Sequence, residues 1–417
     1  MQKPRLAHIL FALMVAVAFL LLPQSVTTPA QYGNTVFVVG LGIDKSDKQD
    51  GLSLSAQIVA AKPNAAASES YQIITSEGTD MIDAMDNMRK ELGKLLGLSH
   101  CYVVVVSDDV CTEYNLLTIF DPLVRTEHLG TNVILAHTNN KAKDLLLACE
   151  EIGGDAQNVL ESLTKYNDEY VINKDASIYD FYKNYYAPSA TGLIVTLDCE
   201  DQDQDQASGQ KSSGGSESTN GGQSEQSETQ SNNTLPQKKI VNPGAGVAFY
   251  KGKKVADINQ ELIKGLGWLD TSSKYSDVKL EHINTKKLQD ATVTLSQLGC
   301  TLNYKSSINN NIPTLYVDFV ISAKIIGIES DNLVTVTDLA SYFDDAFTPA
   351  LQNLVSTQLE QVCEFQREHK LDILNFYKIF NTQMHSEWQK YLASLDDPTD
   401  YATQVQVFIK ATLKQAN

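Results

Sequence analysis

The sequence predicts an exported protein of α+β or mixed α/β fold, built from two or three domains. The length of 417 residues exceeds a single ordinary domain of about 100–200 residues. Strand-like and helix-like apolar periodicities follow one another through both halves of the chain, which is typical of sheets covered by helices. A basic start followed by an apolar stretch is typical of an export signal.

Composition excludes several classes of protein. Hydrophobic residues make up 42% of the chain and charged residues 20%, which excludes a fully disordered chain and a polytopic membrane protein. With 33 basic against 51 acidic residues, the net charge of −18 has the wrong sign for binding nucleic acid. Six cysteines are too few for a disulfide framework. Cys101 and Cys149 lie in apolar runs, where we expect small buried hydrophobic residues.

The N-terminal segment, residues 1–30, is either a signal peptide or a membrane anchor. Lys3 and Arg5 precede an apolar stretch from Leu6 to Leu22, and the small residues up to Ala30 suit cleavage after that position. The same stretch is just long enough to remain as one membrane-spanning helix, which needs about 17–25 residues. Both alternatives stay open. Both place residues 31–417 outside the cytoplasm, because the basic end stays inside.

Residues 31–198 predict an N-terminal α/β domain in which strands alternate with helices. The valines at 103–106 predict a central strand that is buried on both faces. Thr79 is expected to cap a helix whose apolar face repeats every three or four residues. That face comprises Ile82, Met85, Met88, Leu92, Leu95 and Leu96. The predicted strands are residues 36–39, 52–58, 71–74, 102–106 and 132–136, and the further helices are residues 114–125 and 142–152.

Residues 199–236 are predicted to be a flexible, disordered acidic linker that divides the globular part of the chain in two. From Glu200 onward, Asp-Gln repeats give way to Ser, Gly, Gln, Glu and Asn, and Ala207 is the only apolar residue before Leu235. Such a segment buries too little surface to offset the entropy of ordering it. Its seven acidic residues against Lys211 could bind cations or a basic surface, but we favour a solvated spacer.

Residues 237–417 predict strands, then helices, then a last strand, which is the order of an α+β arrangement. Residues 246–250 and the turn at residues 251–253 predict a hairpin. A long helix is expected after Thr348. The other predicted strands are residues 291–295, 315–328 and 405–409, with a loop at residues 309–313.

The sequence contains no common motif for hydrolysis or phosphate binding. It has no Gly-x-Ser-x-Gly elbow, no Walker loop and no His-Glu-x-x-His helix. Gly244 and Gly246 form a Gly-x-Gly, but a strand follows where pyrophosphate needs a helix N-terminus. Among the histidines, only His369 has a carboxylate, Asp372, at a spacing that puts two ligands on one helix face, and no third ligand accompanies them. We therefore predict no catalytic residue, no cofactor and no metal.

Carboxylates at the ends of predicted strands are the remaining candidates for chemistry. Asp44 and the pair Asp108 and Asp109 occupy such positions, where carboxylates can act as acid and base or hold a cation. Carboxylates at strand ends more often accept hydrogen bonds from turn amides, and we favour this structural role. The residues that would bind a ligand are unknown from the sequence.

Five short segments occur in an order and spacing that match one protein family. They are Gly42-Ile43-Asp44, Ser76-Glu77-Gly78-Thr79, Gly246 to Val255, Leu371 to Phe376, and Glu387-Trp388. Together they resemble the Ger(x)C family, the C subunits of bacterial spore germinant receptors, over Val36 to Ile409. Members typically carry a lipobox cysteine followed by Trp-Asp. Here the earliest cysteine is Cys101, which excludes lipid attachment by that route, and the acidic linker is longer than expected.

The resemblance implies three mixed-sheet domains with helices. It divides the second half near Asp270 into a middle segment, residues 237–275, and a C-terminal α+β domain, residues 276–417. It implies no enzyme activity, and a membrane-associated subunit at the outer face of the spore inner membrane. That subunit works with two integral-membrane subunits in sensing small nutrients such as amino acids or sugars. Trp268 and Trp388 could anchor an interface, but we expect both to pack in the core.

Two other functions stay open on the sequence. A secreted two-domain module for a peptide, glycan or cell-wall ligand would use the acidic segment as a tether between recognition domains. A cell-wall hydrolase would need paired carboxylates or a metal cluster, which we do not find in the sequence. The lack of catalytic motifs and the chain-long resemblance favour the receptor subunit.

Overall fold

The computed structural model describes Met14 and residues 34–47, 50–60, 70–151, 177–201, 238–241, 244–269, 277–330 and 342–415. The predicted signal or anchor, with Lys3, Arg5, Leu6, Leu22 and Ala30, therefore lies outside the described residues. Residues 202–236 of the predicted linker lie outside them as well. Within the described part of the chain, no helix is long and apolar enough to cross a membrane.

The first part of the chain forms eleven of the described strands. They are β1 (Thr35–Lys45), β2 (Leu52–Ala60), β3 (Ser70–Gly78), β4 (Leu95–Gly97), β5 (Val103–Ser107), β6 (Ile134–Thr138), β7 (Thr191–Thr196), β8 (Asp198–Asp201), β9 (Lys238–Val241), β10 (Gly246–Tyr250) and β11 (Lys253–Ile258). Nine of them form one sheet in the spatial order β11-β10-β7-β6-β5-β1-β2-β3, with β4 beside β1. β8 and β9 form a separate antiparallel ribbon. The helices are α1 (Met81–Leu92), α2 (Asp108–Glu113), α3 (Leu116–Arg125), α4 (Ala142–Glu151) and α5 (Ile178–Tyr186).

β5 lies near the centre of this sheet, as its valines predict. All five of its residues are buried, and it runs parallel to β1 on one side and to β6 on the other. Val104 and Val106 pack in the core formed with α1, α3 and α5. Val103 and Val105 pack in the core formed with α4 on the opposite face. The first half is therefore a sheet covered by helices on both faces, which confirms the predicted α/β alternation.

The N-terminus of α1 differs from the prediction by one residue. The capping side chain is Asp80, whose carboxylate accepts a hydrogen bond of 2.9 Å from the amide of Asp83. Thr79, the predicted cap, instead donates its amide and hydroxyl to the Asp83 carboxylate. Thr and Asp can both cap a helix, and which of the two neighbouring residues does so depends on where β3 ends and the helix begins.

The apolar face predicted for this helix is partly wrong. Met85 and Met88 are fully buried as expected, but Ile82 is 46% exposed and Leu95 is 49% exposed. The helix ends at Gly93, which adopts the left-handed conformation with φ of 60°. Because the chain turns there, Leu95 lies in β4 and not on the helix.

The predicted hairpin after the linker is confirmed, and it completes the first sheet. Lys251 and Gly252 join β10 to β11 with φ of 47° and 74°, as in a two-residue type I′ turn. β10 also pairs antiparallel with β7, with Gly246 opposite Val195. Residues 199–201, the first of the predicted linker, lie in β8 and pair with β9. The first sheet thus takes strands from both sides of the acidic segment, while the domain boundaries stay a prediction.

The second half contains a four-stranded sheet in the order β12-β13-β14-β15. Its elements are α6 (Gln260–Gly267), β12 (Val278–Ile283), β13 (Ala291–Asn309), β14 (Ile312–Glu329), a π-helical turn (Phe343–Phe347), α7 (Thr348–His369), α8 (Phe376–Gln383), α9 (His385–Leu392), α10 (Tyr401–Gln404) and β15 (Gln406–Gln415). β15 runs parallel to β14, and the other pairs are antiparallel. The predicted order of strands, helices and a last strand is confirmed.

β13 and β14 are longer than predicted, with 19 and 18 residues. Asn310 and Asn311 connect them with φ of 52° and 64°, which asparagine tolerates better than most residues. Two register shifts, after Thr294 and after Gln297, interrupt the pairing without ending it. The alternation in the sequence is broken there, which explains why the prediction stopped at residue 295.

The helices of the second half cover one face of its sheet. Trp388 is fully buried and Trp268 is 4% exposed within that core, which confirms the core packing expected for both. The indole nitrogen of Trp268 donates a hydrogen bond of 2.6 Å to Gln358 on α7. The opposite face of this sheet carries exposed side chains, among them Tyr316, Lys324 and Phe408.

Candidate functional site

The four parallel strands β1, β5, β6 and β7 end at one edge of the first sheet, and their carboxyl ends carry polar side chains. In open α/β sheets, ligands commonly bind outside this edge. The residues there are Asp44, Ser107, Asp108, His137, Thr138, Thr196 and Asp198. The edge brings Asp44 and Asp108, two of the sequence candidates, onto neighbouring strands.

Asp44 is a helix cap. One carboxylate oxygen accepts a hydrogen bond of 2.7 Å from the amide of Ala142, and the other accepts one of 3.0 Å from the amide of Lys143, at the start of α4. The side chain is 4% exposed, and burial raises the pKa of its carboxyl against the opposing effect of these amides. The favoured role, hydrogen bonding to backbone amides, is confirmed for Asp44, although the amides belong to a helix.

Asp108, which is partly exposed, belongs to a polar network with the buried His137 and Thr196 and with Lys254. Its carboxylate lies 3.0 Å from His137 Nε2, and His137 Nδ1 lies 3.0 Å from the Thr196 hydroxyl. Lys254 donates to the same carboxylate, and its Nζ lies 2.6 Å from Asp257. The hydrogen bond from His137, followed by that from Lys254, lowers the pKa of Asp108 well below its usual value. An ionised carboxylate only accepts, so His137 Nε2 donates the hydrogen bond to Asp108.

An acid, a histidine and a hydroxyl in sequence are the groups of a hydrolase triad, but this set is closed to substrate. His137 is fully buried and Thr196 is 2% exposed. A nucleophile must reach a scissile bond, and the Thr196 hydroxyl is enclosed by the sheet. The network instead links the ends of β5, β6, β7 and β11. Asp109, the other half of the predicted pair, is exposed on α2.

Asp372 is the second buried carboxylate, and it caps α8. It accepts hydrogen bonds of 2.7 Å and 2.9 Å from the amides of Phe376 and Tyr377, and one of 2.8 Å from the Tyr401 hydroxyl. Burial raises the pKa of its carboxyl. The amide of Asp372 in turn donates to the hydroxyl of Thr191 on β7, 3.2 Å away. This bond links the second half of the chain to the first sheet.

The pairing of His369 with Asp372 as metal ligands is not seen in the structure. The Asp372 oxygens are occupied by the cap, and the His369 ring packs on Phe365 with ring centroids 4.5 Å apart. Among the described residues, no group of three or more His, Cys, Asp or Glu side chains is placed to hold a metal ion.

A cleft of about 900 Å³ lies beside the bond between Asp372 and Thr191. One wall is formed by α5 and the residues before β7, and the other by α6, β13 and α8. Its polar side chains include Asp180, Lys183, Asn184, Lys378, Asn381 and Gln383. Its volume falls within the range of about 300–1,000 Å³ that is typical of small-molecule sites. It is the candidate binding site of the protein.

Comparison with known proteins identifies the family. Residues 31–199 match the family model described as the spore germination protein N-terminal domain. Residues 245–414 match the model described as spore germination B3/GerAC like, C-terminal. The chain belongs to the Ger(x)C family of spore germination proteins. This confirms the resemblance found in the sequence.

This Ger(x)C protein is also similar to a solved structure. A crystal structure of the GerBC protein is similar over 91% of this chain and 97% of that chain, with 12% sequence identity and a TM-score of 0.49. No curated protein matches the chain.

The segments that carried the resemblance have structural roles in this Ger(x)C protein. Asp44 and Asp372 cap helices, and Trp388 fills the second core. Cys101 and Cys149 are buried, as predicted, and burial raises the pKa of the Cys101 thiol to about 12.

Sequence reasoning missed His137, Thr196 and Lys254 as partners of Asp108. His137 directly follows the strand predicted at residues 132–136, so parallel alignment of that strand with β5 would have placed it beside Asp108. Lys254 lies 146 residues from Asp108 along the chain, and no local pattern connects them.

Proposed function

We propose that this protein is the non-enzymatic, extracytoplasmic subunit of a nutrient germinant receptor. It works with two integral-membrane subunits at the outer face of the spore inner membrane. The match to the family models over residues 31–199 and 245–414 is the observation that carries this proposal. The enclosure of the Asp108, His137 and Thr196 network also supports a non-enzymatic role, because its hydroxyl is not accessible to a substrate.

Deleting the gene tests the proposal directly. Sporulation should be normal, and the spores should fail to respond to at least one nutrient while still germinating with a trigger that bypasses nutrients. Re-expression of the protein should restore the response. Normal responses of the deletion spores to every nutrient tried would contradict the receptor role. A His137→Gln variant that restores germination as well as the wild-type protein would support the absence of a catalytic role for this histidine.

The cleft beside the bond between Asp372 and Thr191 suggests how such a subunit takes part in sensing. We propose that the cleft binds a small nutrient or positions one within the complex, because lysine, amide and carboxylate groups converge on it. Thr382 lines the cleft at an exposed position of α8, so Thr382→Trp should obstruct part of it without disturbing the core. Ser386→Trp, on the exposed side of α9, is the matched control. Germination should be impaired by the first variant alone.

The same cleft also supports a second candidate function, that of a secreted ligand-binding module. The two functions differ in their dependence on partners. A receptor subunit should be recovered from spore membranes together with two multi-span proteins, whereas a secreted module should be recovered alone. Binding of a peptide or glycan by the isolated full chain, with normal germination of the deletion strain, would favour the module.

Attachment to the membrane is proposed to come from an uncleaved Leu6 to Leu22 helix or from the partner subunits. A helix of that length anchors far more firmly than a single lipid chain. N-terminal sequencing of the protein from the membrane fraction decides between the two. A chain beginning at Gln31 would leave partner binding as the tether.

A further inference from the structure

The second sheet has an outward face that no described helix covers. Its exposed side chains lie on alternate residues of the strands, opposite the side chains that form the core. Tyr316 on β14 is paired in register with Phe408 on β15, and Asp318 is paired with Lys410. Ser322 is paired with Lys414, four residues further along each strand.

Two aromatic rings are exposed side by side on this face. Tyr316 is 47% exposed and Phe408 is 52% exposed, and their rings stack with centroids 5.3 Å apart at an angle of 17°. Large apolar side chains that are exposed singly are ordinary, but a stacked pair on an open sheet forms a continuous apolar patch. Such a patch suggests an interaction surface.

Five exposed lysines lie on the same face of the sheet as the aromatic pair. They are Lys279, Lys305, Lys324, Lys410 and Lys414, and we call them, with Tyr316 and Phe408, the lysine face. Among the described residues, none of these five ammonium groups forms a salt bridge. Lys305 is paired with Tyr316, and Asp318 lies near both aromatic residues, whereas Glu281 and Glu329 lie with Lys279 at the end of the sheet far from the pair. The chain as a whole has a net charge of −18, whereas this face carries more lysines than acids. Such a local excess of positive charge favours an anionic partner.

We propose that the lysine face lies on the anionic surface of a lipid bilayer. Its charges are spread over four strands of an open sheet, which suits the diffuse negative charge of lipid headgroups. Each lysine near such a surface strengthens binding about fivefold. Aromatic rings of Tyr and Phe occupy the boundary between headgroups and acyl chains. The inference rests on the proposed membrane location of the protein, and it names the surface that contacts the membrane.

A tryptophan at position 408 reports contact with the bilayer. The native tryptophans are both buried, so they give a constant background in a Phe408→Trp variant. We expect the emission of Trp at this position to shift to the blue with full-length protein reconstituted into vesicles of phosphatidylglycerol and phosphatidylcholine. Vesicles of phosphatidylcholine alone should give no shift. High salt should reverse the shift, because it screens the lysines.

Two further variants separate the lysine face from general proximity to lipid. Lys410→Gln with Lys414→Gln should lower the docking equilibrium about 25-fold, at about fivefold for each lysine. Tyr179→Trp on α5, where the native side chain is 55% exposed, is the matched control and should not shift. Circular dichroism and the emission of the buried tryptophans verify that each variant is folded.

The outcomes are distinct from those of the germination test. No shift with anionic vesicles, or an equal shift in the double lysine variant, overturns the lysine face. A shift without vesicles that grows with protein concentration indicates a second copy of the chain, or its acidic segment, on this face and also overturns the proposal. A germination defect in the deletion strain combined with no vesicle effect would leave the receptor function standing and refute this surface alone.

Discussion

Replacing Asp372 by alanine should destabilise the second half of the protein severely. The carboxylate is 4% exposed and accepts hydrogen bonds from two backbone amides of α8 and from the Tyr401 hydroxyl. Alanine would leave all three donors buried without an acceptor. The first turn of α8 would also lose its cap.

The magnitude follows from the three donors. A buried donor left without a partner costs about 1–3 kcal/mol, and removal of the carboxylate returns part of its own desolvation penalty. We therefore expect Asp372→Ala to lower the free energy of unfolding by about 3–5 kcal/mol. Asp372→Asn keeps one acceptor oxygen and presents a donor where the second oxygen was, so its effect should be smaller, about 2–3 kcal/mol. Tyr401→Phe removes one bond and should cost about 1–2 kcal/mol.

Urea unfolding followed by tryptophan fluorescence measures these values. Trp388 is a local reporter, because its ring lies 5.3 Å from that of Tyr401. The double variant Asp372→Ala with Tyr401→Phe completes a thermodynamic cycle. Tyr401→Phe should cost much less in the Asp372→Ala background, since the phenol has then lost its acceptor. A loss below about 1 kcal/mol for Asp372→Ala, or additive effects in the cycle, would refute the cap as the main role of Asp372.

Three other predictions follow from the first half of the chain. Asp44→Ala should lower the free energy of unfolding by about 1–2 kcal/mol, because two amides of α4 lose their cap, and Asp44→Asn should cost less in the same urea experiment. Asp108→Asn should destabilise the protein at neutral pH. Hydrogen bonds lower the pKa of Asp108 from 3.8, so its contribution to the free energy of unfolding is present above that value and is lost as the pH falls. The difference in free energy of unfolding between Asp108→Asn and the wild type should therefore shrink in acid. Trypsin should cut at Lys211 before Lys238, which lies in β9, and native gel filtration should show the nicked halves still associated through β7 and β10.

Local patterns were sufficient for elements that carry their own signal. The valines of β5 are apolar on both faces, and the hairpin of β10 and β11 has its turn residues at the turn. β7 was not predicted, because Gly192 weakens the strand pattern and leaves an apolar run of only three residues, 193–195. Its stability comes from pairing with β6 and β10, which lie far away in the sequence.

The candidate site was harder to predict for the same reason. Asp44 and Asp108 could be found because strand ends are visible in the sequence. The partners of Asp108 depend on strand order, and the walls of the cleft come from α5 and from α8, whose residues Asn184 and Asn381 are far apart in the chain. The lysine face could not be predicted from the sequence either, because its lysines lie on four different strands that are neighbours only in the folded sheet.

The pairing of β7 with β10 has a consequence for how the protein folds during synthesis. β7 is left as an open edge until residues 246–258 have been made, so the first sheet cannot finish folding when β7 itself emerges. The acidic segment is made between β7 and β10, and its negative charge favours the solubility of the incomplete chain. Because the entropy of closing a loop grows only with the logarithm of its length, doubling this segment would cost about 0.6 kcal/mol. The length of this segment can therefore vary at little cost in stability, whereas β7 is always made before β10.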